Sequence, residues 1–419
     1  MFIKNATFFA LFLVVVLVFW CEFVLFYFCL FQCTWPQISE ENLDKFILPG
    51  EKTKPVRILL VSDTHIGVRH QLIDRIRRHW LLNRAFKTAM SLYSPEVVIH
   101  LGDLLDQGFF EPDEDFNKDV GIVRSIFNTD QKSTVFKVLP GNHDVGFHHR
   151  LHPYTSGRFN RVFRLPADQK YTKDDVEVGG SVKLWSYKGL LFVFLNSMAF
   201  EGDSCRFCRR AEDDLQLLTK RLQCLRGDLA LQSCQEDFRS IMEHGSDKIS
   251  MGDYTHPILI QHFPLFRPDE TVCKGDYPDS MPESGRNVPY KSGIDCLSDS
   301  VTRQLFFSIR PRLAFSGHSH YFCHRTHTVS SRSEYSSAWK VEEWTLPALS
   351  YRVSGYPGFI LLHASRNGYA VKRCRVPTEW AIGFNYVIGL CIIILVYWSM
   401  RRKRSSPSIF PTRPIAKES

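Results

Sequence analysis

The sequence predicts an α/β fold in which layered sheets form a β-sandwich flanked by helices, with an apolar helix at each end of the chain. Short apolar runs alternate with stretches of helical periodicity, which is typical of layered sheets covered by helices, although this alternation alone also allows an α+β arrangement. The 44% hydrophobic content of the 419 residues is enough for a substantial core. The apolar runs predict buried strands at residues 56–61, 97–101, 135–139, 190–195, 257–261, 313–315 and 359–362.

Helical spacing is clearest in two stretches between these runs. Residues 75–92 form a long helix-like segment, and Leu215, Leu218, Leu222 and Leu225 recur at spacings of three and four residues. A leucine stripe of this kind indicates a helix that packs on the core rather than a surface for a partner.

The two ends of the chain are apolar enough to cross a membrane. Residues 8–31 contain Glu22 as their only charged residue, and residues 380–400 contain none. About 20 helical residues cover the roughly 30 Å of hydrocarbon in a bilayer. The first segment could instead be a cleaved signal peptide, but it is long and rich in aromatic residues and lacks a clear cleavage site, so we expect an uncleaved anchor.

Basic residues after the second apolar segment predict the orientation of the chain. Residues 401–404 are Arg-Arg-Lys-Arg, and a basic cluster next to a span marks the cytoplasmic side. Two spans then place both termini in the cytosol and the long central part in a lumen or outside the cell. The net charge of +8 arises partly from this tail, so it does not predict a nucleic-acid partner.

These segments predict a linear division of the chain. Its parts are a cytosolic N-terminus (1–7), a membrane span (8–31), a lumenal linker (32–55), one folded domain (56–365), a second linker (366–379), a second span (380–400) and a cytosolic tail (401–419).

Cysteine usage fits an oxidising compartment. Three of the twelve cysteines fall in the apolar segments, and the others lie near or within the lumenal part, where disulfides are expected. Cys205, Cys208, Cys224 and Cys234 could instead form a zinc site, but the second pair does not have the spacing of a zinc knuckle. We favour disulfides, with the connectivity left open.

Polar side chains follow five of the predicted strands, at the point where each strand ends. Ligands bind outside the carboxyl ends of strands in α/β sheets, so these side chains can converge although they are far apart in sequence. Carboxylates, imidazoles and an amide, without a cysteine, suit two divalent ions such as Mn²⁺, Fe²⁺ or Zn²⁺. The segments are Asp63-Thr-His65, Gly102-Asp103-Leu-Leu-Asp106, Gly141-Asn142-His143-Asp144, Gln261-His262 and Gly317-His318-Ser-His320.

Glycines come directly before three of these groups. We expect Gly102, Gly141 and Gly317 to let the backbone turn sharply where a ligand must project. Asp144 is expected to fix its turn through hydrogen bonds to backbone rather than to take part in the chemistry.

In this order, D-x-H, G-D-x-x-D, G-N-H-D, a single His and G-H-x-H resemble the motifs of the calcineurin-like metallophosphoesterases, across residues 56–365. The resemblance implies a site with two metal ions, which can clamp a phosphate and activate water. It implies His143 as the general acid, oriented by Asp106. The implied metal ligands are Asp63, His65 and His320 on one ion, Asn142, His262 and His318 on the other, and Asp103 bridging both.

Position 107 bears on the substrate. Protein phosphatases of this superfamily resemble G-D-x-x-D-R-G, with the arginine gripping a dianionic phosphate, whereas this chain has Gln107. The absence of that bidentate cation favours a singly charged phosphodiester over a phosphomonoester.

Two spans around a lumenal site narrow the resemblance to the membrane metallophosphoesterases that remodel GPI anchors, as does the segment Glu343-Trp-Thr-Leu-Pro347. That family implies a manganese-dependent phosphodiesterase that removes ethanolamine phosphate from the second mannose of the anchor. It further implies GPI-anchored proteins as substrates, no nucleic acid, and residence in the endoplasmic reticulum, its exit sites and the early Golgi. The family's dilysine-type tail is incomplete here, because Lys417 follows Ile415 and Ala416.

Two alternatives stay open at the level of sequence. One is another lumenal or cell-surface phosphoesterase of the same fold, acting on a lipid, a nucleotide or a protein. The other is a catalytically inactive receptor that binds GPI glycans and sorts cargo. The presence of His143 argues against the receptor, since a protein that only binds has no need of a proton donor.

Overall fold

The computed structural model describes residues 2–39, 54–67, 71–129, 133–164, 181–200, 206–235, 237–243, 254–330 and 338–402. The chain divides into two compact units, one from residues 29–376 and one from the two terminal segments. The predicted tail beyond residue 402, with Lys417, lies outside the described residues, as do Cys205 and most of the first linker.

Within the described residues the strands are β1 Val56–Val61, β2 Val97–His100, β3 Val135–Val138, β4 Val182–Tyr187, β5 Leu190–Leu195, β6 Ile258–Ile260, β7 Leu313–Ser316, β8 Cys323–Val329, β9 Trp339–Thr345, β10 Gly358–Ala364 and β11 Tyr369–Arg375. The α-helices are α1 Phe2–Phe19, α2 Leu25–Phe31, α3 Leu72–Tyr93, α4 Asp113–Ile126, α5 Asn142–Val145, α6 Pro153–Phe163, α7 Arg206–Arg226, α8 Glu283–Arg286, α9 Asp299–Ile309 and α10 Glu379–Arg402.

The strands form two sheets that face each other across one core. The first sheet has the order β11-β10-β1-β2-β3, and the second has the order β4-β5-β6-β7-β9-β8. Ile58, Ile99 and Ile360 of the first sheet share a buried cluster with Phe192 and Phe315 of the second. The predicted α/β β-sandwich is therefore confirmed.

Parallel pairing brings the ends of the strands that precede the predicted ligands to common edges. In the first sheet β1 pairs in parallel with β2, and β2 with β3. In the second sheet β6 pairs in parallel with β7. Strands β1 and β2 are almost completely buried, as expected for parallel strands covered on both faces.

The terminal unit contains two helical segments that are long and apolar enough to cross a membrane, judged by length and composition. They run over Ala6–Phe31, where a short π-helix at Trp20–Val24 joins α1 to α2, and over Glu379–Arg402. Glu22 is buried here and accepts a hydrogen bond from the Tyr386 hydroxyl at 2.7 Å. A partner of this kind allows a carboxyl group within an apolar segment.

The predicted linker at residues 366–379 is wrong over half of its length. Residues 369–375 form β11, which pairs with β10 along its whole length at the edge of the first sheet. One side of an edge strand faces solvent, so this strand mixes charged residues with small and apolar ones. It therefore lacks the continuous apolar run from which the other strands were predicted.

Three disulfides are present among the described residues: Cys33–Cys374, Cys224–Cys234 and Cys273–Cys323. Because disulfide-bonded sulfurs are not thiolate ligands, the second pair rules out the alternative zinc site. The first disulfide joins the segment after the first apolar helix to β11, and the Trp35 indole N–H also donates to the Tyr93 carbonyl, so the start of the predicted linker is attached to the domain. The expectation of disulfides is confirmed for these six residues.

Candidate metal centre

Each predicted ligand lies just beyond the carboxyl end of a strand. Asp63 and His65 follow β1, Asp103 follows β2, and Asn142 is the first residue of the one-turn helix α5 after β3. From the second sheet, His262 follows β6, and His318 and His320 follow β7. The two sheets thus deliver their polar side chains to one end of the sandwich.

The structure gathers these side chains into two groups that share one carboxylate. Donor atoms within 4.8 Å of one another form a group of Asp63, His65, Asp103 and His320, and a second group of Asp103, His262 and His318. The amide oxygen of Asn142 adjoins the second group, 3.1 Å from His262 Nε2. Asp103 lies where a bridging ligand is required, and every predicted ligand is in one of the two groups.

Backbone carbonyls orient two of the imidazoles. His262 Nδ1 is 2.9 Å from the Leu101 carbonyl oxygen, and His318 Nε2 is 2.8 Å from that of Ile294. A carbonyl oxygen only accepts, so these nitrogens carry the protons. The opposite nitrogens, His262 Nε2 and His318 Nδ1, are then the ones that can bind a cation, as is usual for metal-binding histidines.

The side chains present fit a pair of cations. Asp103 Oδ2 is buried and accepts no hydrogen bond within the described residues. His65 Nε2 faces His320 Nε2 at 3.1 Å, and two neutral lone pairs at this distance repel unless a proton or a cation lies between them. Carboxylate, imidazole and amide donors suit divalent ions of the first transition row.

The electrostatics of the centre favour positive charge. Burial opposes ionisation of Asp103, but His262 and the other nearby imidazoles hold its pKa well below the usual range. Burial likewise disfavours a charged His262, yet the Asp103 carboxylate raises the pKa of His262 to about 9, so near neutral pH its Nε2 carries a proton that a bound cation would replace. Burial lowers the pKa of His318 to about 3, which keeps this imidazole neutral and able to bind a cation.

Five of the predicted ligands have a left-handed backbone conformation. Their φ angles are 55° at Asp63, 49° at His65, 52° at Asp103, 70° at His318 and 64° at His320. Such conformations are uncommon outside glycine and cost of order 1–3 kcal/mol each. Their concentration here indicates that the surrounding fold holds these residues in place for a function.

The glycines before the ligands have different roles from those expected. Gly102 does have a left-handed φ of 103°. Gly141 and Gly317 do not, so a sharp turn is not what requires glycine there. A Cβ atom at Gly141 would lie 2.2 Å from Asp103 Oδ1, and one at Gly317 would lie 2.0 Å from Ser62 Oγ. At both positions glycine provides room for the ligand-bearing loop beside it.

Gly317→Ala should therefore damage the metal centre without unfolding the domain. The new methyl group would also lie 2.6 Å from Asp63 Oδ2 and would push this ligand away. A displacement of about 1 Å can lower turnover about 100-fold, so we expect that loss together with reduced metal content in elemental analysis. Gly355→Ala is the matched control, because nothing lies within 4 Å of its Cβ position. Equal activity of the two variants would contradict this account.

His143 lies beside the two groups, and its ring packs edge-on against His65. Its backbone N–H donates to Asp103 Oδ1 at 2.8 Å. The Asp106 carboxylate, which was predicted to orient His143, makes no hydrogen bond to it among the described residues; His143 Nδ1 instead donates to the backbone carbonyl of Asp106 at 2.5 Å. The Asp106 carboxylate lies 3.4 Å from His65 Nδ1.

Asp144 is a structural residue of the turn. Its buried carboxylate accepts backbone N–H groups from Leu104, Leu105 and Gly141, at 2.8–3.2 Å. These bonds fasten the loop after β2 to the loop after β3. Burial and the nearby Asp103 carboxylate raise the pKa of Asp144 to about 7.

His100, the last residue of β2, was not expected to support the site. Its Nδ1 accepts the Gly102 N–H, so its Nε2 donates to Thr64 Oγ1 at 3.1 Å. Burial lowers the pKa of His100 to about 3 and keeps the ring neutral, as these two bonds require. The ring thereby joins the Asp63 loop to the Asp103 loop.

Glu343 of β9 supports the loop that carries His262. Its buried carboxylate accepts the Leu265 N–H at 2.8 Å and pairs with His327 Nε2 at 2.8 Å. Burial opposes ionisation of Glu343, but the hydrogen bond from His327 and the charge of Arg267 hold its pKa below the usual range.

Glu343→Gln should destabilise the domain most at neutral pH. Because the folded-state pKa of Glu343 is depressed, its carboxylate stabilises the fold above the unfolded-state pKa, and this contribution is lost as the pH falls through the folded-state value. We expect the free energy of unfolding to fall by about 1–3 kcal/mol near pH 7. The glutamine amide has a single oxygen, which cannot replace both carboxylate oxygens as acceptors for the Leu265 N–H and for His327. Thermal unfolding as a function of pH measures it, with the exposed Glu114→Gln as control. A constant difference in Tm down to pH 3 would be the contrary result.

Comparisons with known proteins agree with this geometry. Residues 56–322 match the family model described as calcineurin-like phosphoesterase. Metallophosphoesterase 1 of Ailuropoda melanoleuca is 31% identical over 400 residues, covering 95% of this chain and 90% of that protein. Metallophosphoesterase 1 of Cricetulus griseus is 32% identical, covering 93% and 88%.

Among solved structures, purple acid phosphatase PPD1 from yellow lupin (Lupinus luteus) seeds matches with a TM-score of 0.45 and 11% identity. The match covers 77% of this chain and about half, 52%, of that phosphatase. The family model and the relatives suffice on their own: this chain belongs to the calcineurin-like phosphoesterases and is a metal-dependent phosphoesterase with a binuclear site.

Proposed function

We propose that this protein is a membrane-anchored phosphodiesterase that removes ethanolamine phosphate from the second mannose of GPI anchors. The observation that carries the proposal is the complete set of donors around Asp103, with His143 beside them. A protein that only bound a glycan would need no proton donor next to two metal-binding groups. This feature counts against the inactive cargo receptor.

The residues that would hold the ions are those of the two groups, with Asp103 shared. When bound, two such ions clamp a phosphate and lower the pKa of a water. We propose Mn²⁺ as the natural ion, with Fe²⁺ and Zn²⁺ as ions that suit the same donors. Elemental analysis of protein purified without chelators identifies the ion.

His143 has the place and the orientation of a proton donor. Because its Nδ1 donates to the Asp106 carbonyl, Nε2 is the nitrogen that would transfer a proton, with the ring in its imidazolium form. In the proposed reaction, water adds to phosphorus and the bond between phosphorus and the mannose oxygen breaks. The mannose oxygen takes the proton from His143, ethanolamine phosphate leaves, and the proton lost by the attacking water restores the His143 imidazolium.

The surroundings of the centre favour a substrate with one negative charge. Gln107 brings no cation to the position that an arginine occupies in G-D-x-x-D-R-G phosphatases. A phosphodiester carries one charge fewer than a phosphomonoester dianion, so its binding depends less on such a cation.

The position at which the chain leaves the domain supports a substrate that is linked to the membrane. Cys374 lies opposite Phe359 in the sheet, and Ile360 lies opposite Leu60 near the carboxyl end of β1. The Cys33–Cys374 disulfide is thus at the level of the ligand-bearing strand ends, two strands or roughly 10 Å to the side. Two spans beyond it would keep the site near lipid-linked substrates and raise their local concentration.

We further propose that both termini are cytosolic, that the domain is lumenal in the endoplasmic reticulum, its exit sites and the early Golgi, and that GPI-anchored proteins are the substrates. The basic residues Arg401 and Arg402 at the end of the second apolar helix support this orientation. Protease protection of tagged termini in sealed microsomes tests it: lumenal termini would contradict the topology.

The activity is tested directly with the purified full-length protein and GPI glycans bearing ethanolamine phosphate. We expect release of ethanolamine phosphate, loss of activity with a chelator and recovery on adding Mn²⁺. Release of inorganic phosphate from monoesters with no action on the glycan would instead favour another phosphoesterase of the same fold.

A further inference from the structure

One arginine reaches the metal centre from a part of the chain that carries none of the ligand motifs. Arg352 lies in the segment between β9 and β10. Its Nε is 3.8 Å from Asp106 Oδ1, and its Nη1 is 3.9 Å from Asp74 Oδ2 on the first turn of α3. The guanidinium therefore lies next to the Asp106 carboxyl group, which is also 3.4 Å from His65 Nδ1.

The segment that carries Arg352 is fastened to the ligand loops themselves. The Ala348 N–H donates to the His320 carbonyl at 3.2 Å, and the Leu349 N–H donates to the Ser62 carbonyl at 2.9 Å. On the other side, Arg78 of α3 donates to the Tyr351 carbonyl at 2.6 Å. The backbone around Arg352 is thus held relative to residues on both sides of the centre.

Among the described residues, the guanidinium makes no close ion pair. Both distances to carboxylates exceed those of hydrogen bonds, and 35% of the side chain is exposed. A guanidinium carries five N–H donors in a planar fork that matches the oxygens of a phosphate. A residue that binds an anion needs a backbone that is held in place and N–H donors that are not used in close pairs. Within the part of the chain that the structure describes, Arg352 meets both conditions at the edge of the metal centre.

Building on the proposed function, we infer that Arg352 grips a non-bridging phosphate oxygen of the substrate. The guanidinium reaches the centre from the connection between β9 and β10 rather than from one of the loops that carry the ligand motifs. Asp74 and Asp106 flank it at 3.9 and 3.8 Å, and its remaining N–H donors can meet a phosphate oxygen.

The test compares Arg352→Ala and Arg352→Lys in the full-length protein, with bis(p-nitrophenyl) phosphate and p-nitrophenyl phosphate as the diester and monoester. Loss of a charge-assisted hydrogen bond should lower kcat/KM for the diester about 10- to 100-fold, mainly through KM. Metal content and Tm should be unchanged. Arg352→Lys should retain more activity than Arg352→Ala, because lysine keeps the positive charge but lacks the planar pair of guanidinium donors.

Arg303→Ala is the matched control: this arginine pairs with a carboxylate on its own helix, and 69% of its side chain is exposed. If Arg352→Ala keeps diester kcat/KM within twofold of the wild type, or loses activity only together with its metal, the inference is overturned. A wild-type enzyme that prefers the monoester would instead contradict the proposed function, and this result is read from the wild type alone.

Discussion

Replacing Asp103 with Asn should abolish activity and empty the metal centre. Asp103 is the one side chain common to both ligand groups, and its Oδ2 is buried without a hydrogen bond among the described residues. An amide has no charge with which to join two cations. The ions supply several kcal/mol of transition-state stabilisation, so we expect a loss of about 1,000-fold or more, equivalent to about 4 kcal/mol.

Turnover and elemental analysis of the same preparation measure this effect. Asp237→Asn is a suitable control, because this carboxylate is exposed and pairs with neighbouring Arg239. Thermal unfolding shows whether the Asp103 variant is folded. A folded variant with full metal content and near-normal turnover would show that Asp103 is not required for metal binding or for catalysis.

Replacing His143 with Ala should lower activity about 100- to 10,000-fold, the usual contribution of a general acid, while the metal content stays normal. The size of the loss should depend on the leaving group. A sugar or alkyl alkoxide needs a proton as it departs, whereas a nitrophenolate does not. We therefore expect a large defect on the glycan and a small defect on a nitrophenyl diester.

Kinetics on both substrates separate this role from a structural one. His149→Ala provides the control, since this histidine is exposed and six residues further along the chain. Equal losses on good and poor leaving groups would mean that His143 acts on binding or on the fold rather than as a proton donor.

The sequence predicted the central strands closely, for a physical reason. β1 and β5 were placed at the residues where they occur, because β5 is buried throughout and is an unbroken apolar run, and β1 is interrupted only by the exposed Arg57. β4, β8, β9 and β11 were missed. Three of these lie at sheet edges, and β8 with the sequence CHRTHTV has few apolar residues to reveal it.

The convergence of the candidate ligands was predictable because each lies in a short motif that follows a strand. The residues that support them were not. His100 resembles any strand histidine, and Glu343 and Arg352 reach the centre only through pairing of β7 with β9 and through the connection to β10. The hydrogen bond from His143 to the Asp106 backbone, rather than to its carboxylate, likewise depends on the path of the loop.

The proposed removal of ethanolamine phosphate is tested in cells by mass spectrometry of GPI glycans. The glycans are taken from cells that lack this protein and from the same cells expressing the wild type or His143→Ala at equal levels. We expect ethanolamine phosphate to accumulate on the second mannose without the protein, and only the wild type to remove it. Unchanged glycans in the deficient cells would contradict the proposed substrate, and equal rescue by the two forms would contradict catalysis by this site.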